Sequence, residues 1–84
     1  MEILKRSDDF WKAPKAVAVS ETDVMQWIER SIKELQIYPT LEIACVSSGN
    51  RMIEVERDGF DESDNRPLYK AFVFTDYEIF KLKG

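Results

Sequence analysis

The sequence predicts an α+β fold, one amphipathic helix packed on a three- to five-stranded, mainly antiparallel sheet, and three observations carry that expectation. Apolar residues recur at three- and four-residue spacing from Val24 to Leu35. The period changes to two after Pro39, and the stretch from Leu68 to Thr75 is aromatic and strand-like. A helix followed by several short strands is satisfied by two layers, the helix stripe covering one face of the sheet.

The helix is expected over about residues 21–36. Ser20 suits its N-cap, Asp23 stands where a capping-box carboxylate reaches back, and Val19 and Val24 are spaced as a hydrophobic staple. Val24, Trp27, Ile28, Ser31, Ile32 and Leu35 then share one face. Pro39 ends the helix, because it has no amide hydrogen and biases Tyr38 away from helical geometry.

Beyond it, Leu41, Ile43 and Cys45 alternate with Thr40, Glu42 and Ala44, and Ile53 and Val55 alternate with Glu54 and Glu56. With Ser48-Gly49-Asn50 as the turn, this is a hairpin of roughly 40–47 against 51–57. Cys45, within the apolar run Ile43-Ala44-Cys45-Val46, is expected to be a buried small hydrophobe. Asp58 to Pro67 is polar and turn-rich and is expected to be a loop. Tyr77 to Leu82 is either a separate strand or a bent continuation of 68–75, since Thr75-Asp76 is not a favoured two-residue hairpin turn. Short strands are expected at 2–5 and 16–19. In the segment 68–74 both alternating sets are partly apolar, Leu68, Phe72 and Phe74 against Tyr69, Ala71 and Val73, so one helix leaves an aromatic-bearing face uncovered.

Eighty-four residues make one domain with one modest core; residues 1–15 are expected to be an irregular arm, in which Phe10 and Trp11 either fold back on the core or are held for a partner. The lone cysteine excludes an internal disulfide and a multi-cysteine metal site, and favours a reducing, cytoplasmic setting. No run approaches the roughly 20 apolar residues of a membrane span, and the N-terminus does not resemble a secretory signal. Net charge is −4, and its distribution is uneven: five bases stand against eleven acids over residues 16–66, while each end carries one excess base. Such a field repels phosphates, so no direct nucleic-acid partner is expected.

Chemistry is sparse. With no histidine, Cys45, Ser47 and Ser48 lack the usual base, and no glycine-rich turn opens the helix to cradle a phosphate. Glu42, Glu54 and Glu56 are expected on an outer sheet face rather than flanking a cleft. The segment from Asp58 to Asn65 has acidic spacing but not the order of a calcium loop. No catalytic residue, metal or cofactor is therefore assigned. The binding features are stronger. Glu54, Glu56, Asp58, Asp61, Glu62 and Asp64 form an acidic run opposed only by Arg57, with Phe60 embedded in it, the make-up of an aromatic contact with an electrostatic rim. These residues are the candidate partner-binding site. The expected function is a small acidic, non-enzymatic protein-binding domain, an inhibitor or modulator of a larger protein with a basic surface, of the immunity, antitoxin or phage anti-defence type. The alternatives are a homodimeric structural or assembly subunit using the exposed strand face, and a small carboxylate- or metal-dependent enzyme.

Overall fold

A computed structural model describes residues 1–8, 21–48, 51–74 and 78–84. In chain order these form β1 (Glu2–Asp8), α1 (Glu21–Ile37), β2 (Ile43–Ser48), β3 (Arg51–Phe60), β4 (Pro67–Val73) and β5 (Glu78–Lys83). The strands make one antiparallel sheet in the order β1-β5-β4-β3-β2, a meander from β2 to β5 with β1 added beside β5. The tail segment is thus a separate strand, not a continuation of β4. Ser20, Val19, Phe10, Trp11 and the expected strand at 16–19 lie outside the described residues, as do Gly49 and Asn50 of the hairpin turn.

The helix buries the stripe its period dictates. Val24, Ile28, Ser31, Ile32 and Leu35 are buried, and Trp27 packs at the margin of the core. Buried Ser31 is satisfied locally, its hydroxyl donating to the Trp27 carbonyl at 3.0 Å. Beneath and beside the stripe, Ala44, Ile53, Val55, Tyr69, Ala71, Val73, Phe80 and Leu82 complete the core. These positions oppose one another across the ladders, Ala44 with Val55, Val55 with Ala71, Ala71 with Phe80, so they share one face of the sheet.

That register overturns one expectation. Cys45 is exposed, and Ile43 is 47% exposed, whereas Ala44 is buried. The reason lies in β3. Its alternation of Ile53 and Val55 with Glu54 and Glu56 is unambiguous, and antiparallel pairing sets Ala44 and Val46 opposite the apolar pair and Cys45 opposite Glu54. A strand apolar on both faces takes its parity from the partner that is not.

At the far end of the sheet, Arg6 of β1 donates to Glu78 of β5 at 2.8 Å, and its guanidinium lies 5.2 Å from the Phe80 ring centroid. Glu78 is 7% exposed, so this partner is what makes a carboxylate tolerable there.

Candidate functional site

The acidic run is not one surface; the fold divides it into three environments. Glu54 and Glu56 are half-buried on the sheet face away from the helix, opposite Phe72 and Lys70 respectively. Neither makes an ion pair with another described residue. Around them on that face stand Ile43, Cys45, Met52, Leu68, Phe72 and Phe74, the two phenylalanine rings stacked at 6.2 Å and Lys70 Nζ 5.9 Å from the Phe72 centroid. Met52 and Phe74 are 38% and 45% exposed. The uncovered apolar set is therefore Leu68, Phe72 and Phe74, while Tyr69, Ala71 and Val73 are buried on the helix-side face.

Asp58 and Phe60 belong to strand β3, not to a loop. The β3–β4 register jumps there, from Arg57 opposite Tyr69 to Phe60 opposite Pro67, so β3 spends one extra residue. Gly59 takes φ +78, and the jump is a β-bulge. In a regular strand Arg57 and Phe60 would point to opposite faces; the bulge puts both on the helix side. Phe60, 65% exposed, there walls a groove of about 430 Å³ with Leu35, Gln36, Pro39, Glu42, Arg57, Pro67 and Tyr69. A Cβ added at Gly59 would meet nothing within 4 Å, so the cost of Gly59→Ala is the backbone's alone. Loss of about 1–2 kcal/mol is expected in chemical denaturation, with Gly59→Asn recovering part of it because Asn tolerates the left-handed region; equal stability for both variants would show that the bulge relaxes.

The third environment, residues 61–66, is a turn closed on itself. The Asp61 carboxylate accepts from the amide of Ser63 at 2.8 Å and from its hydroxyl, and Asp64 accepts from the Arg66 amide at 3.2 Å. Asn65 takes the left-handed conformation that residue type tolerates. Lys83 Nζ then bridges both carboxylates, 3.1 Å from Asp61 and 3.0 Å from Asp64. Arg66 Nε donates to the Gly84 carbonyl at 3.1 Å, fastening the turn to the last strand. An ammonium thus occupies the point between the two acids that a cation would take. Among the described residues no group of three or more metal-ligating side chains stands together. Glu62 alone in this turn remains exposed with no ion pair among the described residues.

Hydrogen bonds from Ser63 hold Asp61 well below the usual carboxylate range, with Lys83 contributing less; Lys83 holds Asp64 down, and the two acids push Lys83 up. Folding therefore gains from both acids above their ordinary value of 3.8, and that gain is lost as pH falls through their native values. The gain from Lys83 is complete below its ordinary 10.5 and is lost as pH rises through its native value. Carboxyl carbon shifts followed by NMR should show Lys83→Met raising Asp64 toward ordinary titration while Asp61 stays depressed, and Ser63→Ala raising Asp61 in part, because the backbone amide at 63 still donates to it, while Asp64 stays depressed. Equal movement of both acids in both variants would contradict this division of causes.

The residue that sequence reasoning missed is Arg57. Its Nε donates to the Leu41 carbonyl at 2.8 Å, and its Nη2 donates to the carbonyls of Leu35 and Tyr38, the latter at 3.2 Å. It closes the carboxyl end of α1, whose last turn has no basic residue of its own. The signal available was that it is the one base inside the acidic run. No known protein family, curated protein or solved structure matches this chain.

Proposed function

We propose that this chain is a non-enzymatic protein-binding domain that acts by contact, seating its open sheet face on a larger partner with a basic surface and thereby blocking or modulating it. One observation carries the reading: the sheet face opposite the helix holds Ile43, Met52 and Phe74 in solvent beside the stacked Phe72, with the carboxylates of Glu54 and Glu56, which make no ion pair among the described residues, between them. Exposed aromatic and aliphatic groups offer the desolvated centre of an interface, and the adjacent acids steer a basic partner toward it. The carboxylates with depressed titration, Asp61 and Asp64, share Lys83 and serve the turn, which leaves Glu54 and Glu56, with exposed Asp58 and Glu62 near the chain reversal, as acids without an ion pair among the described residues.

The test is affinity capture from cells in which the chain is expressed, run beside Phe72→Ser/Phe74→Ser and Glu54→Gln/Glu56→Gln variants whose folding is checked by circular dichroism. A stoichiometric protein retained by the native chain, lost with the phenylalanine variant and bound more slowly and with weaker salt dependence by the glutamine variant is the expected result. A partner captured equally by all three overturns the assignment of this face.

A further inference from the structure

We infer that the β2 edge of the sheet pairs with the β2 edge of a second copy of this chain, antiparallel, with Cys45 opposite Cys45 on a two-fold axis. The two edges of the sheet are treated differently by the sequence. β1 carries Glu2, Lys5, Arg6 and Asp8, and its register breaks between Ile3 and Lys5. Charges and an irregularity are the ordinary devices that keep an edge from pairing. β2, Ile43-Ala44-Cys45-Val46-Ser47-Ser48, has no charge, no proline and no glycine, and pairs with β3 without a register shift. Among the described residues it is an unguarded edge, with β3 its sole neighbour in the sheet.

The backbone pattern fixes how two such edges meet. The Arg57 amide donates to the Glu42 carbonyl, so Glu42, and by alternation Ala44, Val46 and Ser48, direct their backbone groups toward β3. The Phe74 amide donates to the Met52 carbonyl, which independently turns the even residues of β3 toward β4 and the odd ones toward β2. The outward-directed amides and carbonyls of β2 are therefore those of Ile43, Cys45 and Ser47. A two-fold at Cys45 pairs Ile43 with Ser47 of the second copy, Cys45 with Cys45, and Ser47 with Ile43, so that all three outward residues exchange hydrogen bonds. A two-fold at Val46 leaves Ile43 without a strand residue opposite it. No like charges face each other across this seam. The nearest acids on the same face, Glu54 of each copy, stand three strand spacings apart, about 14 Å, beyond the Debye length at physiological salt. Because Ile43, Cys45 and Ser47 are self-complementary about Cys45 and bring no like charges together, a second copy is the occupant that satisfies every outward backbone group of this edge.

This inference does not rest on the open-face reading, and its test reads self-association alone. Sedimentation velocity of the full chain over a wide concentration range is expected to show a reversible dimer, and mild oxidation is expected to trap it through Cys45. In Ile43→Lys/Ser47→Lys, lysine faces lysine twice across the seam, and dimerisation should weaken about tenfold; Ile43→Lys/Ser47→Glu sets lysine against glutamate twice and should restore it. Cys45→Pro removes only an outward amide, so it should leave a folded monomer by circular dichroism. A native chain that stays monomeric at about 100 μM, or a dimer indifferent to the charges at 43 and 47, overturns the proposal.

Discussion

Arg57→Ala is expected to cost about 2–4 kcal/mol and to lower the melting temperature by roughly 10–25 °C. A helix ends with four carbonyls that have no partner within it. In α1 these belong to residues 34–37; the Tyr38 amide takes that of Glu34 at 3.0 Å, and Arg57 takes that of Leu35. The same guanidinium holds the Tyr38 and Leu41 carbonyls of the turn that leads into β2. One side chain of β3 therefore fastens the end of the helix and the following turn to the sheet, and adds a positive charge where the helix dipole is negative. Each charge-assisted bond is worth about 1.5–3 kcal/mol when its acceptor cannot turn to water, and less where it can, which bounds the total for a half-exposed group. Arg57→Lys keeps the charge but offers a point donor in place of a planar fork, so it should recover less than half of the loss. Urea denaturation gives the magnitude, and hydrogen exchange should show protection lost first at the carboxyl end of α1. A change under about 0.5 kcal/mol would mean that water serves these carbonyls equally well.

That role could not be read from the sequence, because it joins residues 16 to 22 positions apart through tertiary geometry. What was legible followed local periodicity. The helix from Glu21 to Ile37 matches the expected 21–36, since a 3.6-residue apolar stripe closed by a proline has few other solutions. The hairpin was legible too, but not the parity of β2, where Ile43, Ala44, Cys45 and Val46 offer an apolar residue to either side. Only the acids of β3 break that symmetry, and they do so through pairing. The candidate site suffered the same limit. Asp58 to Asp64 is a continuous acidic stretch on paper, yet the bulge at Gly59 sends Phe60 to the helix side, and Lys83, nineteen residues from Asp64, claims two of its carboxylates. Because the polar stretch from Asp58 to Pro67 reads as a loop, Gly59 falls outside the expected strand, and the bulge had no local signal.

Phe80→Ala is expected to cost about 3–5 kcal/mol, while Phe72→Ala, the same deletion on the other face of the sheet, should cost about 1 kcal/mol. Phe80 is fully buried, opposite Ala71, and the Arg6 guanidinium stacks at its ring before reaching Glu78. Removing the ring opens a cavity beside a small neighbour that cannot fill it, and takes from Arg6 a contact worth about 0.5–1 kcal/mol. A domain of this size is stable by only about 4–12 kcal/mol, so the variant should be close to unfolded at 37 °C, with a melting temperature at least about 15 °C lower. Phe72 is half-exposed, and its neighbours Glu54 and Ile79 leave water access to its ring. The contrast is sharper than either value, because residue type and strand environment are held constant while the face changes. If the two substitutions cost the same, the face carrying Phe72 is buried against something in the folded chain, and it cannot be the surface that meets a partner. If Phe72→Ala is nearly silent for stability yet abolishes capture of the partner, the two faces of the sheet have separate duties, one holding the fold and the other exposed at some cost in solubility for the sake of contact.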